Sequence, residues 1–344
     1  MTLRLLMLVL CLPLGGAAQQ WRWHVAAGNT LYFGDLGNER HFPFSEVHHG
    51  FLAGMQYAFA ADRGRASKFA LESNLTYLRI GYDETQPLLF GRVSGIDLRN
   101  FRRGLNFQND LKGGEARLIF TLPPFRNRPD YKQRLALYFF AGAALFHSNP
   151  KADLFRGPIH PSNRYYYWND GTLRDGPESE GHARIVSRDG VHETTLRDWY
   201  TEGQSPYRVG GQKQMYSLWQ TAFPHGGGFR LYTGRFASIA LEMTFYDFFF
   251  TDYLDDASHR YATYAEIERN FAGDELKQTL ARYITDPSGW GSDGFNGPAS
   301  SPRGNPKKFD WVYFMNLRYS VTLHQPHAPS YRAKSKKAKG CPGF

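Results

Sequence analysis

Between Phe309 and Leu323 every odd position is apolar or aromatic: Phe309, Trp311, Tyr313, Met315, Leu317, Tyr319, Val321 and Leu323. The even positions include Asp310, Asn316, Arg318, Ser320 and Thr322. A period of two over fifteen residues is strand periodicity. An ordinary strand runs about 5–6 residues. One that crosses a bilayer needs about 9–11, apolar outside and polar inside. Seven more stretches alternate. Trp21, Trp23 and Val25 enclose Arg22 and His24, and Phe51, Ala53, Met55, Tyr57 and Phe59 form a stripe. Leu71, Leu75 and Tyr77 face away from Glu72, Asn74 and Thr76, as Ala116, Leu118 and Phe120 do from Glu115, Arg117 and Thr121. Leu135 to Leu145, Tyr216 to Tyr232, and Phe236 to Tyr246 complete the set. Pro224 and Gly226-Gly227-Gly228 predict a kink or bulge in the second of these three.

The connections alternate in length. Those at 61–67, 123–134 and 233–235 are short, whereas 83–105, 150–215 and 255–308 are long. This predicts an all-β fold, an eight-stranded antiparallel transmembrane β-barrel with long extracellular loops and both termini periplasmic. A soluble β-sandwich would alternate too, with shorter strands. In the loop before the last strand, "YATYAEIERNFAGDELKQTLARYI" reads as one or two amphipathic helices with Leu276, Leu280 and Ile284 on one face. The aromatic cluster in "SNRYYYWNDG" either packs a loop onto the rim or binds sugar or protein.

Composition places this pattern in a compartment. Aromatics make up 16% of the 344 residues, a β-type bias. Residues 1–18 read as a secretory signal peptide: Arg4, an apolar run from Leu5 to Leu14, then small residues ending at Ala18. That run is shorter than the roughly 20 residues of a spanning helix, and Leu10 before Cys11 is wrong for a lipidation site. Residues 19–324 are then the outer-membrane barrel, and 325–344 a basic periplasmic tail carrying Arg332, Lys334, Lys336, Lys337 and Lys339. The tail supplies five positive charges of a formal net +9. Cys341 would be the single cysteine after cleavage, which excludes an internal disulfide framework.

Inward positions carry both charge signs. An eight-stranded interior is just wide enough for side chains to fill, and buried charges must pair. Arg22, Glu72, Glu115, Arg117, Glu242 and Arg318 are therefore expected to form a lumen network, with His24, Asn74 and Asn316 beside them. No HExxH, paired CxxC or phosphate-binding Gly loop with a following Lys occurs. No catalytic residue, cofactor or metal is expected. His48, His49 and His225 are isolated, and Asp247, Asp252, Asp255 and Asp256 lack calcium-loop spacing. These acids are expected to hydrogen-bond at the rim and cap the following helix.

Three stretches resemble, in order, elements of the PorG-like outer-membrane barrels of the type IX secretion system: "NTLYFGDLGN", "FFFTDYLDDASHRY" and "RGNPKKFDWVYFMNLRYSVTL". The rim residues that carry the resemblance are Gly34, Asp35 and Leu36, with Asp252, Tyr253, Leu254, Asp255 and Asp256. It implies a non-enzymatic component of a protein-export machine in the outer-membrane lipid bilayer. Its partners would be a periplasmic ring lipoprotein and a second ring protein, with no nucleic acid. The 150–215 loop and the basic tail depart from the family pattern. Arg126, Arg128, Lys132, Lys336, Lys337 and Cys341 are the candidate partner contacts, the basic ones suited to an acidic surface. A lipid-modifying barrel enzyme and an adhesin or receptor using the long loops are the alternatives.

Overall fold

The computed structural model describes residues 20–37, 46–59, 68–85, 95–122, 135–206, 213–233, 236–289, 291 and 302–323. The expected signal peptide, the turns at 61–67 and 123–134, and the basic tail lie outside the described residues.

Eight long strands form the frame: β1 (Gln20–Phe33), β2 (His48–Ala58), β3 (Phe69–Asp83), β4 (Asn106–Thr121), β5 (Leu135–His147), β6 (Trp219–Tyr232), β7 (Ala237–Asp247) and β8 (Trp311–Thr322). Each pairs antiparallel with the next. β1 closes the ring against β8, from Arg22↔Thr322 to Phe33↔Trp311, so the barrel has no free edge.

Over most of their length the strands reverse the polarity of a soluble protein. Leu75 and Leu317 are 75% and 60% exposed on the outside, whereas Glu242 and Arg318 are fully buried within. Soluble monomers do not expose a continuous apolar belt of this kind. Aromatic girdles bound it. At the short-turn end Trp21 lies against Tyr57, Tyr57 against Phe59, and Phe69 against Phe120. At the long-loop end Phe33 stacks on Trp311, and Phe245, His225 and Phe223 continue the row. Trp21 and Phe33 are twelve residues apart on β1. At about 3.3 Å per residue and a tilt of about 40°, that is about 30 Å, the thickness of a bilayer's hydrocarbon core. The chain is a membrane-spanning barrel of the outer-membrane type.

β3 and β4, at 15 and 16 residues, are longer than a span requires. Beyond Tyr77 their polarity inverts. Leu78, Ile80, Tyr82, Phe107 and Leu111 are buried inside, while Arg79 Nε donates to Asp110 Oδ1 at 2.7 Å outside. The pleat continues unbroken and the surroundings change from lipid to water. The main apolar core lies in this upper storey, where Phe146, Phe155, Tyr283, Ile284 and Phe314 pack beneath the loops.

The long loops are folded. The 83–105 segment, a long loop by its sequence pattern, holds helix α1 (Gly95–Arg103). The loop after β5 adds Lys151–Ala152 and Thr194–Thr195 to the sheet beyond β4, and Tyr166–Tyr167 pairs with Leu173–Arg174. The loop before β8 carries α2 (Tyr264–Asn270) and α3 (Glu275–Thr285).

Three expectations need correction. Leu276 is 53% exposed and faces away from the core. α3 packs through its second half, with Leu280, Ala281, Tyr283 and Ile284. The aspartates after β7 cap neither helix: Thr263 and Glu266 form a capping box on α2, and Asp274 caps α3. β6 contains no bulge. Its pairing with β5 lapses between Ala222↔Ala144 and His225↔Ala141, where Pro224 lacks an N–H, and resumes in the same register. The neighbouring glycines serve close packing, since a Cβ at Gly228 would lie 2.8 Å from the Tyr138 hydroxyl.

Candidate functional site

Two polar assemblies hold the residues singled out from the sequence. The first fills the lumen. Arg117 reaches Glu115 at 2.7 Å and Glu242 at 2.8 Å, and Arg318 reaches Glu72 at 2.6 Å and Glu242 at 2.9 Å. Asn74 donates to both Glu72 and Glu115 through its Nδ2, and its Oδ1 accepts from His24 Nε2 at 2.7 Å. Tyr138 donates to Glu242, and Arg117 donates to Tyr246. Six strands contribute: β1, β3, β4, β5, β7 and β8. Arg22 lies against the Tyr232 ring, 5.7 Å from its centroid, towards the short-turn end. Arg230 is near it, donating to Gln56 at 3.3 Å and covering Tyr138. The charges interlock across the lumen and plug it.

The second assembly lies at the long-loop rim. It gathers Gly34-Asp35-Leu36, the segment 252–256, and Arg303-Gly304-Asn305 with Asp310. The Tyr32 hydroxyl touches both Asp255 and Asp310. Asp255 accepts the Leu36 and Ala257 N–H groups, and Asp310 accepts that of Leu254. Asp35 accepts the Asn305 N–H at 2.7 Å. Gly34 has room for nothing larger: a Cβ there would sit 1.9 Å from the Tyr32 hydroxyl and 2.0 Å from Asp310 Oδ1. Asp256, in a left-handed conformation with φ 66°, accepts from Thr201, Tyr216 and buried Arg303. Tyr253 stacks on Tyr216 at 4.5 Å and donates to Glu202, which also accepts the Ser258 and His259 N–H groups and Lys213. Arg103 of α1 donates to the Asp35 and Arg303 carbonyls and pairs with Glu84. Four loops thus meet in one junction.

Burial sets its protonation. It pushes Asp35 up to about 6, opposed by the Asn305 N–H and Arg103. It pushes Asp252 up to about 7, with the Asp35 charge adding to the rise. Asp255 and Asp310 are raised well above the ordinary carboxylate range by burial, then by neighbouring carboxylates. Glu202 and Asp310 were not singled out from the sequence as site residues, nor was Tyr32. Asp310 and Tyr32 lie inside the stretches of resemblance, and nothing local marks Glu202.

Other candidates are placed without chemistry. His225 Nδ1 is 3.4 Å from Asp247 on the outer face, but its cross-strand partners Ala141 and Phe245 carry no nucleophile. Arg126, Arg128, Lys132, Lys336, Lys337 and Cys341 lie outside the described residues.

No protein-family model matches the sequence, and no curated protein is similar to it. Among solved structures, Neisserial surface protein A overlaps 88% of this chain and 96% of its own, at TM-score 0.32 and 6% identity. Ail, the attachment invasion locus protein of Yersinia pestis, overlaps 88% and 99%, at TM-score 0.30 and 7% identity. The N-terminal β-barrel domain of Pseudomonas aeruginosa OprF overlaps 87% and 97%, at TM-score 0.24 and 9% identity. Overlaps this loose carry no inference; ring closure, inverted polarity and the two girdles establish the architecture.

Proposed function

We propose that this chain is a non-enzymatic outer-membrane barrel of the type IX secretion system, anchoring or organising the periplasmic ring complex. The observation that carries the reading is the convergence of the three stretches of resemblance. The first is more than two hundred residues from the other two in sequence, yet Gly34, Asp35, Leu36, Asp255, Asn305 and Asp310 form one hydrogen-bonded junction. Their likeness to the PorG-like pattern is therefore a likeness in one structural unit. A lumen plugged by paired charges suits an anchor better than a pore. In this reading the short turns face the periplasm. Arg126, Arg128 and Lys132, with Lys336, Lys337 and Cys341 of the tail, are the proposed contacts with an acidic ring surface.

The test is affinity purification of the tagged protein from gently solubilised outer membranes, with mass spectrometry. Recovery of the ring lipoprotein and the second ring protein is expected, reduced when residues 325–344 are deleted. A barrel recovered alone in high yield overturns the reading.

A further inference from the structure

The folded loops leave a cleft of about 380 Å³ between the Tyr166–Arg174 hairpin and helices α2 and α3. That volume falls within the range of small-ligand sites, roughly 300–1,000 Å³. Tyr166, Trp168 and Tyr264 are half-buried along its walls with Arg164 and Arg282, and two carboxylates also line it, Glu178 accepting from Asn169 and Asp286 from the Gly291 N–H.

The walls are fixed from behind. Tyr165 and Tyr283 form the buried floor, where the Tyr165 N–H donates to the Tyr283 hydroxyl, which donates on to the Leu154 carbonyl at 2.7 Å. Trp168 is held through its Nε1–H on the Gly176 carbonyl and by Arg174, 3.8 Å above its ring. Arg282 rests over Tyr264 at 4.7 Å and is neutralised by Glu268. Arg164 shares with Arg282 a buried Nε without a hydrogen bond, but differs in that no carboxylate among the described residues pairs with it. Its guanidinium lies over the Tyr166 ring at 4.5 Å. A buried guanidinium donor with no acceptor is costly, and a guanidinium fork is shaped to take a carboxylate in two parallel bonds.

We infer that this cleft is a binding site for a carboxylate-bearing saccharide unit. The flat aromatic walls receive the C–H faces of a sugar ring, and Arg164 takes its carboxylate. The polar lining and the small volume fit one or two sugar residues rather than a lipid chain. This site is independent of the secretion reading: it lies on the long-loop end, away from the turns assigned to the ring.

The test uses the purified full-length barrel in detergent micelles, titrated by calorimetry with a glucuronic-acid-terminated disaccharide. A neutral disaccharide of the same linkage and an N-acetylated dipeptide with a free carboxylate are the comparisons. Saturable binding of the acidic sugar is expected, at least tenfold tighter than the neutral one. Arg164→Gln should erase that preference and Arg164→Lys should keep part of it. Tyr166→Ala should weaken both sugars. Heat-modifiable gel migration confirms that each variant is folded. No binding of the acidic sugar, equal binding of both sugars, or tighter binding of the dipeptide overturns the inference.

Discussion

Tyr32 Oη lies 2.7 Å from Asp255 Oδ2 and 2.9 Å from Asp310 Oδ1, one phenolic proton between two buried carboxyl groups. A single proton satisfies one acceptor, so one of the two acids must keep its own and donate it back to the phenol. Tyr32→Phe leaves both carboxyls without their shared partner. A loss of about 1–3 kcal/mol is expected, confined to the loops. Limited proteolysis should show faster cleavage around residues 251–258, while heat-modifiable migration reports an intact barrel.

Gly34→Ala tests the same junction through space rather than charge. The new methyl would meet the Tyr32 hydroxyl and Asp310, and overpacking of this kind costs about 1–3 kcal/mol. Combined with Tyr32→Phe, which removes the nearest of the three obstructing atoms, the cost should fall short of the sum. Strict additivity in proteolysis-derived stabilities would contradict this geometry.

The junction should loosen as pH rises. Asp35 and Asp252 have folded values of about 6 and about 7, above the ordinary aspartate value of about 3.9. Folding then takes up protons near neutrality. The stability these groups contribute is full below about pH 4 and is lost as pH climbs through 6 and 7. Protease resistance of the loops should be greater at pH 5 than at pH 8, and Asp252→Asn should flatten the profile. A profile that rises with pH would reverse the assignment.

In the lumen, Glu242 accepts from Arg117, Arg318 and Tyr138 at once. Glu242→Ala takes one of two carboxylate partners from each of two buried guanidinium groups, Arg117 keeping Glu115 and Arg318 keeping Glu72, and a loss of about 3 kcal/mol is expected. Glu72→Leu with Arg318→Met removes both members of a pair and should cost less than the two single changes together. Urea unfolding in lipid vesicles reads both.

The strands were legible wherever one face meets lipid. The alternation around Leu317 and Arg318, or Leu241 and Glu242, is the bilayer's demand written at single-residue resolution. β4 was legible only from Glu115, although it begins at Asn106. Its first half carries Phe107 and Leu111 inward and Gln108 and Lys112 outward, the opposite sense, and Gly113-Gly114 hides the join. The carboxyl junction was half legible. Resemblance marked Gly34, Asp35 and Asp255, but Glu202, which holds Tyr253 and the Ser258 and His259 N–H groups, comes from a loop with no local pattern. α1 was missed because its burial comes from the barrel mouth: Phe101 is buried and Asn100 donates to the Gly37 carbonyl.

The inversion of polarity along β3 and β4 constrains how such a chain can change in length. Both storeys read off the same alternating backbone, so a single inserted residue between Tyr77 and Leu78 would force one storey to show the wrong face, acids to lipid or leucines to water. Two inserted residues would preserve parity but shift the ladder against both neighbours. Length variation is thereby expelled from the walls into the loops, where the cleft and the carboxyl junction are built. The membrane thus fixes a rigid count of residues in the frame, and the variable part of the molecule is the part that faces away from it.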